Sequence, residues 1–302
     1  MSLRPVDVFT IAYLAFGLVL LVFFPGRPEN APLLALLHAL GIAAIVLARR
    51  FRLDRTAIGG LLLDFYPLPL FGLFYTEAGI LNRILHPDAF FDAALIRFEE
   101  EFFGNQPSQD LHRSLPWLPL GEYLHAGYLS YYFLVPVVAF SIRFGRGRLA
   151  YDRAVASIAL AFYISFLFFV AIPVKGPYHV FTADPPAVYG YWMPKAARWI
   201  VDRGSSIGTA FPSSHVSVAT ATWIMAMRYH RPVAVVYLFL VPALAVGAVY
   251  GGFHYATDIA AGALLGILAG TLGHALAVKL SQGTRRALAL GPAGGAASRK
   301  AG

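Results

Sequence analysis

Two histidine motifs carry the groups in this chain that could do chemistry. FPSSHVS spans Phe211–Ser217, and FHYATD spans Phe253–Asp258. In the second motif His254 and Asp258 are four residues apart, so on a helix they share a face. Asp258 can then accept the proton of one ring nitrogen of His254. That fixes the tautomer and leaves the other nitrogen free as a nucleophile. The same carboxylate would stabilise the positive charge that builds on the ring. The plainer alternative is an interfacial histidine satisfied by its neighbour. In the first motif Pro212, Ser213 and Ser214 are good helix-start residues, which alone would describe a capped helix. The same geometry also binds an anion, because free amides at a helix N-terminus attract one and Ser213 and Ser214 add hydroxyl donors. His215, in the first turn, could donate a proton to a departing alkoxide. Together these groups suit phosphoryl transfer.

The elements that must position them are membrane helices. The 302 residues are 58% hydrophobic and 13% charged, against about 25% charged in a soluble domain. The fold class expected is an all-α, polytopic membrane helical bundle. Eight spans are expected, near 7–24, 32–48, 58–75, 122–142, 153–173, 214–228, 232–250 and 257–279, the sixth being short for a bilayer. The first span is read as a retained anchor, since it lacks a small-residue cleavage site. There is no cysteine, which excludes thiolate chemistry and disulfides.

Eight spans put both termini on one side. Sorted by side, 16 of the 24 Lys and Arg residues fall with the termini, so that side is expected to be cytoplasmic. Both histidine motifs then face outward from a plasma or inner membrane, to the periplasm or cell exterior. The net charge of +8 follows these loops and is not read as a nucleic-acid signal.

One membrane domain is expected over residues 1–280, followed by a disordered cytoplasmic tail at 281–302. Two outward segments are long. In residues 76–121, Phe91, Leu95, Phe98 and Phe102 recur at helical spacing, with Asp92, Glu99 and Glu100 elsewhere on the wheel. This reads as an amphipathic helix, startable at Asp88, that lies in the interface or packs on the bundle. Residues 174–213 hold Lys175, Gly176 and Pro177 and could form a lid or headgroup loop. Asp64 falls within the third span, where a carboxylate faces the bundle interior, as a substrate contact or as a helix-packing hydrogen bond. His38, His125 and His274 read as packing histidines and His179 as a loop residue. No metal site and no cofactor are expected.

The paired motifs resemble the type 2 phosphatidic acid phosphatase superfamily, which shows Pro-Ser-x-His followed by His-x-x-x-Asp. Pro212 to His215 and His254 to Asp258 match it, and GGFHYATDIAAGALLG extends the likeness. LLLDFYPLPLFGLFYTE, FFGNQPS and YLSYYF resemble stretches of the branch that includes fungal inositol phosphorylceramide synthase. The resemblance covers about residues 60–275 and implies a six-helix phosphatase-like core and a metal-independent covalent phosphohistidine mechanism. By position His254 is then the nucleophile, Asp258 its orienter and His215 the general acid, with Ser213, Ser214 and Lys175 on phosphate oxygens. Two arginines usual in the family are absent. Tyr178 follows Gly176 and Pro177 where one is expected, and Ala248 stands six residues before His254. Lys175 is left as the nearby cation, with Arg203 more distant. It is a point charge and not a bidentate fork.

The leading expectation is a lipid-phosphate phosphatase, with a membrane-lipid substrate and water resolving the phosphohistidine. Asp64 and Tyr178 are candidate substrate contacts on this reading. One alternative is transfer of a phospho-headgroup to inositol or another alcohol. The other is a lipid-binding or transport protein that uses the same pocket without chemistry.

Overall fold

The structure is a computed structural model that describes residues 3–182 and 190–289, the last seven as backbone alone. Among them the chain is α-helical, apart from one parallel bridge between Val174 and Thr209. The helices are α1 (Pro5–Phe23), α2 (Ala31–Arg50), α3 (Ala57–Phe65), α4 (Pro67–Leu85), α5 (Asp92–Phe103), α6 (Pro107–Ser114) and α7 (Leu118–Gly145). They continue with α8 (Arg148–Ala171), α9 (Pro177–Val180), α10 (Met193–Gly204), α11 (Ser214–Tyr229), α12 (Arg231–Tyr250), α13 (Ala256–Leu268) and α14 (His274–Ala289).

Among the described residues seven helical stretches are long and apolar enough to cross a membrane, and the protein is a polytopic all-α membrane protein. The expected sixth span is α11, a helix of 16 residues, or about 24 Å. It falls short of a full span, and it is buried from Val216 to Thr222 among α7, α8, α12 and α13. The expected third span is longer than read. It runs Ala57–Leu85 as α3 and α4, joined where Pro67 opens a new helix at its first position. The last span passes through a π-helical turn, Ala269–Gly273, and continues as α14 to Ala289. Residues 281–289, expected as disordered tail, are therefore helical, and 290–302 lie outside the described residues.

The axis of the bundle is α8, the most buried of the long helices, with α1, α4, α7 and α11 around it. The seam between α11 and α13 is closer still. A Cβ on Gly262 would stand 2.5 Å from the Ser213 carbonyl oxygen, and one on Gly266 would stand 2.4 Å from that of Ser217. Small residues at this spacing let two helix backbones meet without side chains between them.

The segment after α4 resolves both expectations for it. Helix α5 begins at Asp92 and not at Asp88, which is fully exposed and pairs with Arg83 at 3.6 Å. One face of α5 buries Asp92 and Glu99 against the bundle, with Leu95 and Ile96 packed beside Val174, Ala210 and Tyr255. Phe91, Phe98 and Phe102 remain exposed on a neighbouring face. The helix thus packs on the protein and also presents an aromatic flank.

Candidate active site

His254 lies in the turn between α12 and α13. Gly252, at φ +69°, folds the chain back so that the amides of Phe253 and His254 both donate to the Ala248 carbonyl, at 2.9 and 3.0 Å. Tyr255 caps α13 and Asp258 is the third residue of that helix. The Asp258 Oδ2 accepts the Tyr255 amide at 2.9 Å and Nδ1–H of His254 at 3.1 Å. A carboxylate only accepts, so the proton of His254 sits on Nδ1 and Nε2 carries the lone pair. The Ser213 hydroxyl donates to that Nε2 at 3.3 Å. Burial pushes the His254 pKa down to about 4, which keeps the imidazole neutral at physiological pH.

Ser213 is the N-cap of α11. Its Oγ accepts the Val216 amide at 3.4 Å and its own amide donates to the Asp258 carbonyl at 3.0 Å. The cap and the glycine seam together bring the start of α11 onto the start of α13. One residue further into α11, the ring of His215 stands 5.8 Å from that of His254, centroid to centroid. Tyr131 and Tyr128 pack on His215 with centroids at 4.3 and 5.3 Å. Its Nδ1 is buried without a hydrogen-bond partner among the described residues, as is Oδ1 of Asp258.

Both histidines open into a cavity of about 420 Å³. Its polar end is lined by His215, His254, Ser214, Lys175, Tyr178 and His179. Its other end is an arm between α4 (Leu68, Phe71, Gly72) and α7 (Val135, Pro136), floored by Phe162 of α8. Tyr75, Tyr131 and Tyr132 line the middle. Such a shape suits an amphiphile with an anionic head and an apolar tail.

The remaining predicted residues fall as follows. Ser214 is on the cavity wall, while Ser213 lies behind it, fully buried under His254. Lys175 lines the polar end with its Nζ 4.5 Å above the Phe90 ring. The Tyr178 hydroxyl donates to Asp202, with the Arg198 guanidinium 5.8 Å from its ring centroid. Burial and the Asp202 contact push that phenol up to about 12. Ala248 is fully buried against Tyr128, Ala197, Val201 and Phe253, so no cation stands at its position. Arg203 stacks on Trp199 at 4.4 Å and is not part of the lining.

Asp64 corrects the reading of it as a substrate contact. It is fully buried at the far end of the bundle, where Arg4, Arg143 and Arg148 bond its carboxylate at 2.7, 2.6 and 2.9 Å. Helix packing is what it does. Three sets of residues were not singled out from sequence. Tyr128 and Tyr131 sit in YLSYYF, whose helical spacing was the available signal. His179 lies at the cavity and not merely in a loop. Asp92 and Glu99 were seen only as the polar side of an amphipathic helix.

Comparison with known proteins shows a family. The family described as the PAP2 superfamily matches residues 93–272, which hold both histidine motifs and α5 to α13 but not α1 to α4. The protein named "Bacitracin transport permease protein BcrC" of Bacillus licheniformis is 33% identical over 75 residues, 25% of this chain. The match spans only 37% of that relative's length. No solved structure matches.

Proposed function

This chain belongs to the PAP2 superfamily, and from that premise we propose that it is a lipid-phosphate phosphatase working through a covalent phosphohistidine. Membership itself implies membrane phosphatase-type activity; the mechanism and substrate class are our reading. The observation that carries it is the convergence of two imidazoles on one cavity, 5.8 Å apart, with a carboxylate on Nδ1 of one of them.

In this mechanism Nε2 of His254 attacks phosphorus as the bond to the lipid oxygen breaks. His215 gives its proton to the leaving alkoxide. Water then attacks the phosphohistidine, His215 takes the water proton, the N–P bond breaks and inorganic phosphate leaves. Asp258 holds the tautomer and offsets the charge on His254. Lys175, Ser214 and the N-terminus of α11 face the phosphoryl oxygens. The apolar arm between α4 and α7 takes the lipid tail. The bias of Lys and Arg toward the loops on the side of the termini supports a site on the outer face, with the termini in the cytoplasm.

Two other readings share the pocket. An alcohol such as inositol in place of water would make the protein a phosphotransferase, as the resemblance of its upstream segments to that branch suggests. The relative's printed name speaks of transport, which is the reading without chemistry. One experiment separates all three. Purified protein is given phosphoryl-labelled lipid phosphates, with and without inositol and without added metal, beside His254→Ala. The expected result is free phosphate that disappears in the variant. A labelled inositol product would replace hydrolysis by transfer. Lipid binding or movement that is the same in both proteins, with no turnover in either, would overturn the enzyme reading.

A further inference from the structure

Two buried carboxylates on α5 take no part in the mechanism above, yet both reach the loops that carry it. The Asp92 Oδ2 accepts the amide of Lys175 at 2.9 Å. Its Oδ1 accepts the amide of Gly176 at 2.9 Å and the hydroxyl of Tyr255 at 3.1 Å. One turn-pair further along the same face, Glu99 Oε1 accepts the amide and the hydroxyl of Thr257 at 2.7 and 2.6 Å. Tyr255 and Thr257 flank Ala256 at the head of α13, and the Tyr255 amide bonds the Asp258 oxygen that also holds His254. Three carboxylates thus crowd around one helix start. Burying acidic groups this close together is costly unless their oxygens are well hydrogen-bonded.

We propose that Asp92 and Glu99 are positioning residues for the reaction. Helix α5 is a brace that fixes His254 relative to Lys175, the one lysine on the cavity wall. Asp92 ties the loop bearing Lys175 to Tyr255, and through the Tyr255 amide to the Asp258–His254 pair. Glu99 pins the other side of the same turn by supplying an acceptor to the Thr257 amide, one of the orphan donors at the helix start. The kinetic arm of this inference rests on the reading of His254 as nucleophile.

The two sites differ in what an amide could replace. A glutamine at 99 keeps one oxygen able to accept both Thr257 donors. An asparagine at 92 with its oxygen in place of Oδ1 keeps Gly176 and Tyr255 but sets an NH2 donor against the Lys175 amide, and the flipped amide sets that donor against the Gly176 amide instead. The test measures kcat, KM and thermal stability of Asp92→Asn, Glu99→Ala and Glu99→Gln, together with the His254 tautomer by nitrogen NMR. Displacing a reacting group by about 1 Å costs about 100-fold. The expected result is a fall of that order in kcat for Asp92→Asn and Glu99→Ala at nearly constant KM, with loss of the pure Nδ1–H tautomer, and recovery of both in Glu99→Gln. If a variant at 92 or 99 does not fold, Thr257→Val removes the hydroxyl half of the Glu99 contact from the other side, with the same expectation in smaller measure. Unchanged kcat and tautomer in the folded variants would overturn the proposal, as would a rise in KM alone. If wild-type protein turns over no lipid phosphate, the phosphatase reading fails and the tautomer alone decides the brace.

Discussion

The two ends of the bundle treat buried carboxylates in opposite ways. At the end holding the chain's first helix start, Asp64 has both oxygens taken by arginines, and Asp7 accepts Arg49 at 2.8 and 3.1 Å and the Tyr66 hydroxyl at 3.1 Å. At the histidine end no cation among the described residues bonds Asp258. Its Oδ2 serves a histidine and an amide while Oδ1 has no partner among the described residues. Both groups are fully buried. A saturated carboxylate has nothing left to offer and can only hold helices together. A carboxylate with one oxygen on an imidazole and the other without a partner is placed to respond to a charge that develops on that ring.

Substitutions at the two ends sharpen this contrast. The largest effect expected is from Asp258→Asn, which frees His254 to take the wrong tautomer. Turnover should fall by about 10⁴-fold, as for other histidine–carboxylate pairs, with thermal stability close to wild type. Equal losses in stability and turnover would make Asp258 a structural residue like Asp64. Next comes Asp64→Ala, which strands three arginines and should cost about 3–5 kcal/mol. It is read as a lowered midpoint of unfolding in detergent, while the folded fraction keeps its kcat. A kcat loss at full stability would mean that the two ends are coupled.

A third substitution probes the cavity between them. A Cβ on Gly72 meets nothing within 4 Å, so leucine there fits and fills the apolar arm. Gly72→Leu should lower kcat/KM for long-tailed lipid phosphates by about tenfold and leave short-tailed ones alone. An equal loss on both would move the tail out of the arm. The smallest effect expected concerns pH. With His254 held near 4 by burial, lowering pH from 7 to 5.5 leaves its imidazole neutral. The rate should change by no more than about twofold through this group, where an ordinary histidine near 6.5 would lose about tenfold. Protonation removes the nucleophile, so the acid limb belongs below pH 5. A limb centred at 6 to 6.5 would show that His254 is not buried in the working enzyme.

Helices and histidine pair were legible in the sequence for one reason: both are local. Apolar runs of span length need only neighbouring residues to be recognised, and His254 with Asp258 is an i, i+4 relation. The short α11 was legible as a helix, but hydropathy does not report that it is buried among four others, which is what lets a helix of 16 residues sit inside the bundle. The break at Pro67 and the continuation through the π-turn to Ala289 depend on packing, which hydropathy does not report. Asp64 looked the same in sequence as a substrate contact would, and only the arrival of Arg4, Arg143 and Arg148 from three other segments decides its role. Asp92 and Glu99 were hidden for the same reason. Their partners lie 83 to 163 residues away, and nothing local marks a charged residue on an amphipathic helix as inward-facing.

The seam of Gly262 and Gly266 has a consequence for how the protein lives in membranes of different thickness. Long helices answer a thicker or thinner bilayer by tilting. Such tilting is absorbed by side chains that can change rotamer between one helix and the next. At Gly262 and Gly266 of α13 little can change: the backbone of α11 and the short side chains of Ser213 and Thr220 stand directly against them, and the Ser213 amide is bonded to the Asp258 carbonyl across the gap. The two imidazoles therefore ride as one rigid piece, while α4 and α7, parted by the cavity, are free to yield. Bilayer thickness can then reshape the cavity between α4 and α7 without changing the distance between His215 and His254.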